Sequence, residues 1–258
     1  MSAIAQVAVA AGISITLMGV LWLIGLRIRN WSVVDPGWAM CVVLCALVYV
    51  ATSDAPWTYP RILVAILAVI WGSRHAFLLL KHRVIGHPEE GRYVALRAKW
   101  GRGGFFLFFQ AQAVLAVLLS SPFLLAARAD WTASPSTASF VFFIGFPFEF
   151  IADMQLAAWK RDPANRGKTC RQGLWAWSRH PNYFFEFVIW CAFALLATPH
   201  PYGWVAWSAP ATILMLLLFV TGIPPAEKQA LLSRGDDYRA YQRVTSAFIP
   251  WPPKKPVA

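Results

Sequence analysis

Seven apolar runs, residues 3–26, 32–52, 61–80, 104–126, 138–158, 183–198 and 204–224, fill most of the chain, with polar segments between them. A helix rising 1.5 Å per residue crosses the hydrocarbon of a bilayer in roughly 20 residues, so six of the runs are long enough to span. The run at 183–198 is short, which fits a tilted or kinked crossing. The pattern predicts an all-α, polytopic membrane protein of seven transmembrane helices, built as one membrane-embedded domain over residues 1–258.

The charges give the expected orientation. Twenty of the 23 Lys and Arg fall in four segments, 27–31, 81–103, 158–182 and 225–258. Lys and Arg stay on the cytoplasmic side of a membrane, so these four segments share a face. The loops at 53–60, 127–137 and 199–203 hold only Asp54, Arg128 and Asp130 among acidic and basic residues. Alternation then leaves the amino terminus outside and the carboxyl terminus in the cytoplasm. The first run carries Arg27 and Arg29 after it and no basic segment before it, so it is expected to be retained as a span and not cleaved. Trp57, Trp131 and Trp204 mark the charge-poor interface; Trp100, Trp175, Trp177 and Trp251 flank the basic one. The tail PWPPKKP is expected to be an extended anchor at the surface.

Composition excludes a soluble domain: 58% of residues are hydrophobic and 14% charged, against about a quarter charged in soluble proteins. The net charge of +11 sits beside spanning segments, which favours membrane lipids and phosphorylated ligands over nucleic acid. Cys41, Cys45, Cys170 and Cys191 form no CxxC and no pairing with His at metal spacing. Neither a disulfide framework nor a metal site is expected.

An ionisable group within hydrocarbon costs at least about 2.5 kcal/mol on insertion scales, so each one is a functional candidate. Here they are Asp35, Arg74, His75, Glu149, Asp153 and Glu186. Asp35 lies in VVDPGW, where Pro36 and Gly37 start or kink the second span. Glu149 and Asp153 stand i, i+4 on one helix face and require cationic or hydrogen-bonding partners. Arg74 and the basic residues past 158 are available, and buried pairs that merely hold the bundle together are the plainer reading. The densest cluster runs from Lys160 to Glu186, with Asn165, Lys168, Arg171, Arg179, His180, Asn182 and Tyr183 between. Cations beside amides are what a polyphosphate or nucleotide requires. With no GxGxxG and no GxxxxGK[ST], neither a Rossmann unit nor a P-loop holds it. The segment after 226 is either an amphipathic surface helix or a cover over the same pocket, contributing Arg234, Tyr238, Arg239 and Tyr241.

At GLWAWSRHPNYFFE the sequence resembles the steroid 5-alpha-reductase family and its bacterial relatives, and the likeness extends to VVDPGW, WGSRHAFLLLKHR, EEGRY, EFIADMQLAAWKRDPANRGK, EKQALL and DYRAYQRVTSAFIP in family order. The resemblance implies a seven-helix NADPH-dependent reductase of the inner membrane, monomeric, taking an apolar steroid-like substrate from the bilayer. Asp153, Lys160, Lys168, Asn182 and Glu186 would hold NADPH, with Arg92 and the other polar residues named above completing the pocket. Lysine at 160 and 168 replaces the family's arginine, keeping the charge but losing the guanidinium fork. Asp35 would take the place of a catalytic Glu, with Arg74 and His75 beside it, and Trp38, Trp71 and Tyr93 would line the substrate. The family's catalytic tyrosine has no direct counterpart, and Trp71, Arg74, His75 and Tyr93 are the candidates. The expected reaction is hydride transfer to the β carbon of an enone such as a 3-oxo-Δ4 steroid, Asp35 donating to the ketone oxygen directly or through a neighbour. The RHPNY element also resembles isoprenylcysteine carboxyl methyltransferases, which use S-adenosylmethionine. A non-catalytic lipid carrier or transporter is the third reading.

Overall fold

The computed structural model describes residues 1–130 and 135–254; Trp131, Lys255 and Pro256, named above as interface and tail markers, lie outside the described residues. Among the described residues all regular structure is helical apart from one isolated parallel bridge, Ser178 to Ser246. Six helical segments are long and apolar enough to cross a membrane: Ala3–Ile28, Trp31–Thr52, Tyr59–Arg83, Gly91–Ala127, Ser136–Arg161 and Gly203–Val244. They mark a multi-pass membrane protein. The short sixth run falls within a 16-residue helix, Pro181–Leu196. The chain divides into two compact units, residues 1–135 with 196–209, and residues 136–195 with 210–258.

In the first unit, α1 (Ala3–Ile28) begins at Ser2, whose hydroxyl accepts from the Ala5 N–H at 3.3 Å, and ends at Arg29 in left-handed backbone. A 3-10 turn, Trp31–Val33, is capped by Asn30 and leads into α2 (Val34–Thr52). The Pro36-Gly37 pair thus sits in the first turn of α2, where proline is tolerated, and starts the helix. α2 is the most enclosed of the long helices, packed between α1, α3 (Tyr59–Arg83) and α4 (Gly91–Leu119). Its polar side chains are matched inside: Ser14 and Cys45 share a hydrogen bond at 3.6 Å, and Tyr49 and Ser120 share one at 3.0 Å. The α2–α3 turn is locked by Arg61, 1% exposed, which donates to the carbonyl oxygens of Val50, Ser53 and Ala55 and lies 4.2 Å from the Trp57 ring centroid. Those are the carbonyls a helix end leaves without partners. α4 is two helices in one: Gly101, at φ 65°, breaks it into a basic helix of nearly three turns, 91–100, and the apolar span beyond. Short α5 (Ser121–Ala127) packs on a 3-10 turn, Gly203–Trp207.

In the second unit, α6 (Ser136–Arg161) and α8 (Pro181–Leu196) meet through aromatic contacts, Phe148 stacked on Phe185 at 5.1 Å and Phe142 tilted on Phe193 at 5.8 Å. Between them lie a 3-10 turn, Pro163–Asn165, and the single-turn α7 (Leu174–Trp177), pinned to α6 by Trp175 Nε1 donating to the Ala152 oxygen at 2.9 Å. Helix α9 (Ser208–Met215) passes through a π-helical turn, Leu216–Val220, into α10 (Ile223–Val244). The segment after α10 returns to the α7 region: Arg179 N donates to Ser246, Ser178 Oγ to Phe248 and Trp251 N to Trp177, all at 2.7–2.9 Å.

Candidate functional site

The first unit gathers four charges and a phenol at the entrance to α2. Asp35 Oδ2 accepts from Arg83 Nη1 at 2.6 Å and Arg92 Nη2 at 2.7 Å, while Oδ1 accepts from the Tyr93 hydroxyl. Both guanidiniums also bind Glu90, at 2.9 Å and 2.7 Å, so each bridges two carboxylates. Arg92 further lies 4.5 Å from the Tyr93 ring centroid, and Tyr93 is only 3% exposed. The segment bearing Glu90 is fastened by three polar contacts to the chain before α2. Asn30 Nδ2 donates to the His87 oxygen at 3.1 Å, Glu90 N donates to Ser32 Oγ at 3.1 Å, and Glu89 accepts from Trp31 N at 3.4 Å. Glu89 also pairs with Arg97 at 2.6 Å. Asp35 is therefore an acceptor at both oxygens, and Arg92, expected in the cofactor pocket, is bound to it.

On α2 and α3 of the same unit, Trp38, Trp71 and His75 form one aromatic group. Trp71 stacks on His75 at 5.4 Å, and Trp38 meets both edge-on at 6.2 and 6.4 Å. Trp71 is fully buried; Arg74, one residue before His75, is half-buried. Trp38 is one turn after Asp35, so the indole and the acid project from neighbouring positions on α2.

In the second unit the residues expected to bind a cofactor fall into three groups. One holds the fold: Arg179 donates to Glu227 at 2.6 Å and to the oxygens of Thr245 at 2.7 Å and Gln242 at 3.2 Å. Glu227 also accepts from Gln242 at 2.8 Å, from Tyr238 at 3.3 Å and faces His180 at 3.4 Å. Tyr241 donates to the oxygens of Trp175 and Ser178, and Arg171 pairs with Asp237 at 2.7 Å. These contacts tie α10 to the 169–181 segment, and Arg239 makes an exposed pair with Asp236 at 2.7 Å.

A second group lines the start of α8. Asn182 donates from Nδ2 to Asp153 at 3.1 Å and accepts the Tyr183 N–H at 3.1 Å. His180 and Tyr183 rings stack at 5.3 Å, and Glu186, 7% exposed, accepts from Trp190 Nε1 at 2.8 Å.

The third group is cationic. Lys160 and Arg234 act on each other as like charges, both bear on the Cys170 thiol, and neither makes an ion pair among the described residues. The Nε of Arg234 and the hydroxyl of Thr169, a residue 5% exposed, are buried without a hydrogen-bond partner. Arg234 is held over the Tyr238 ring at 4.9 Å, and Thr169 is fixed through its N–H to Asp237 at 2.7 Å. Nearby in sequence, Lys168 is exposed, and Asn165 donates to the Trp159 oxygen at 3.2 Å. Carboxylates act here too, Asp153 on Lys160 and Asp237 on Arg234, so the group has mixed charge, with two unsatisfied donors of the kind that suit an oxygen-rich anion.

Sequence reasoning did not identify Arg83, Glu90, Glu227 or Thr169. Arg83 and Glu90 stand in WGSRHAFLLLKHR and EEGRY and Glu227 opens EKQALL, so the resembling segments contained them. Arg83 and Glu227 meet Asp35 and Arg179 across 48 residues, and Thr169 meets Asp237 across 68, beyond any local spacing rule. Over residues 21–245, the chain matches the family described as "Protein of unknown function (DUF1295)". It is 25% identical over 275 residues to "Uncharacterized protein C594.04c" of Schizosaccharomyces pombe, covering 92% of this chain and 78% of that protein. No solved structure matches it. The family match takes in both the Asp35 cluster and the Lys160–Arg234 cradle, and the chain belongs to the DUF1295 family.

Proposed function

We propose that the protein is an NADPH-dependent membrane reductase acting on the C=C bond of an enone lipid such as a 3-oxo-Δ4 steroid. The observation that carries this reading is the cradle of Lys160, Arg234 and the Thr169 hydroxyl, whose like charges and unmatched donors favour an anionic occupant. Lys160, Lys168 and Arg234 would hold the phosphates of the dinucleotide, and the Asp153–Asn182 pair with Glu186 offers amide and carboxylate groups for its carboxamide. When bound, NADPH supplies a hydride. The family assignment adds support, because DUF1295 is associated with steroid 5-alpha-reductase-like proteins.

The first unit, taken by itself, holds a candidate polarising group. A hydride attacks the β carbon of an enone well only when the ketone oxygen is stabilised as it gains charge. Of the four candidates for the role of the family's tyrosine, Trp71, Arg74, His75 and Tyr93, only Tyr93 is a phenol. Its O–H is directed by Asp35, which Arg83 and Arg92 hold in place. In the free protein the single phenol proton is donated to Asp35; on lipid binding it turns to the ketone oxygen, while Arg83 and Arg92 keep Asp35 neutralised beside it. Trp38 and Trp71 offer apolar walls for the lipid. The full reading counts Pro181–Leu196 as a seventh, short crossing, with the amino terminus outside, the carboxyl terminus in the cytoplasm of a bacterial-type cell, and a monomer as the working unit.

Purified protein given progesterone and NADPH is expected to lose nicotinamide absorbance as a saturated ketone forms. No oxidation of NADPH with any of a panel of enone lipids, together with turnover of S-adenosylmethionine, would assign the chain to the methyltransferases instead.

A further inference from the structure

Helix α6 has two chemically different faces. Glu149, Asp153 and Lys160, at i, i+4 and i+11, form the stripe used above. Gln155, Ala158 and Trp159, at i, i+3 and i+4, form another about half a turn around the axis, continued by Asp162 just past the helix end. That second stripe, with Asn165, Gln172 and Gly173, lines an open groove of about 520 Å³, within the range of small-ligand sites.

The walls of the groove are held by bonds that leave its polar groups available. Gln155 Oε1 accepts the Leu174 N–H at 2.9 Å, while its amide nitrogen makes no hydrogen bond among the described residues. Asp162 Oδ1 accepts the Ala164 N–H at 2.9 Å, leaving Oδ2. Asn165 Nδ2 donates to the Trp159 oxygen, leaving Oδ1, and Trp159 Nε1 donates to the Lys168 oxygen at 3.5 Å, which sets the indole plane. The Gln172 side chain is exposed and has no protein partner. Gly173, at φ 57°, forms part of the lining where a Cβ would overlap the Gln155 carboxamide.

Three carboxamides, one carboxylate and one indole make a specific demand. No cation lines the groove, and Asp162 disfavours an anion, so its ligand differs from that of the Lys160–Arg234 cradle. Carboxylate and amide oxygens accept from hydroxyls, amide nitrogens donate to them, and an indole face packs against C–H surfaces. That combination suits a ring of adjacent hydroxyl groups. The groove lies at the end of the apolar part of α6, where the basic segment begins, the depth of lipid head groups. We propose that this groove binds a neutral polyhydroxylated ring, such as the glycosyl head group of a membrane lipid or a free sugar of the same chemistry.

The test is equilibrium binding of full-length protein in phosphatidylcholine nanodiscs, with and without monoglucosyl diacylglycerol, and of methyl glucoside added in solution. Retention of glucolipid over phosphatidylcholine identifies a head group as the source; saturable binding of methyl glucoside alone identifies a soluble sugar. Either result is expected to weaken by about tenfold in Trp159→Leu and in Gln172→Ala, the effect of losing one stacked or hydrogen-bonded contact. Thermal unfolding at the wild-type temperature verifies that these variants fold. Equal retention of both lipids with no methyl glucoside binding overturns the proposal, as does unchanged affinity in both variants. It is also overturned if the two substitutions lower NADPH affinity, since the groove would then belong to the dinucleotide. Failure of NADPH to bind the wild type leaves these sugar measurements unaffected, so the two readings fail separately.

Discussion

The Asp35 cluster and the Lys160–Arg234 cradle hold their charged groups in opposite states of completion. In the first, two guanidiniums and two carboxylates are cross-linked at 2.6–2.9 Å, and the phenol adds a further bond. In the second, two cations confront each other and two buried donors lack partners. A closed network holds its members in fixed positions before any ligand arrives, which is what a polarising group in catalysis needs. An open one is incomplete until something negative enters.

The contrast breaks most visibly at the phenol. Tyr93→Phe keeps the ring and its packing but removes the donor, and turnover of the enone is expected to fall by roughly 10²- to 10⁴-fold, with NADPH affinity near wild type. Loss of NADPH affinity in a steady-state titration would place Tyr93 in the cofactor site instead. Arg234→Gln acts on the open cluster. Removing a charge-assisted contact is expected to weaken NADPH binding by roughly 10- to 100-fold with little change in the unfolding temperature, because the repulsion lost at Lys160 offsets the attraction lost at Asp237 and the Tyr238 ring. A variant that unfolds earlier would mean that the arginine serves the fold.

Glu90→Gln sharpens the other side. It leaves Arg83 and Arg92 with half their carboxylate partners, and because the group is partly exposed the expected loss is about 1–2 kcal/mol of stability. Chemical denaturation measures it, and no change would show that the network is not cooperative. The smallest effect is at Cys170. Burial pushes this thiol up while Arg234 and Lys160 pull it down. An anion in the cradle cancels the pull, so alkylation of Cys170 is expected to slow by about two- to fivefold when NADPH or pyrophosphate is added. An unchanged rate at saturating ligand would locate the anion elsewhere.

Much of this fold is legible in the apolar runs because lipid tolerates few alternatives to a helix. The run at 32–52 lies within Trp31–Thr52 and the run at 138–158 within Ser136–Arg161. What the runs do not carry is helix built from polar residues. Residues 91–100 lie in a basic stretch that spacing alone presents as a loop, and their helix is stopped by the single backbone angle of Gly101. The site divides in the same way. Asp35 and Asp153 stand out because an acid near hydrocarbon is anomalous. Arg83 and Glu90 do not, because charges in a loop are ordinary until chain reversal brings them to Asp35. Arg61 was equally silent, counted as the first residue of a run when it is among the most completely buried side chains.

Arg61 also differs in kind from the other cations discussed. Its counter-charges are peptide oxygens of Val50, Ser53 and Ala55 instead of a carboxylate. Acid cannot protonate such partners away, and added electrolyte has no ion pair to screen there. High salt that loosens Glu90 from its arginines should therefore leave the bend between the second and third helices gripped as before.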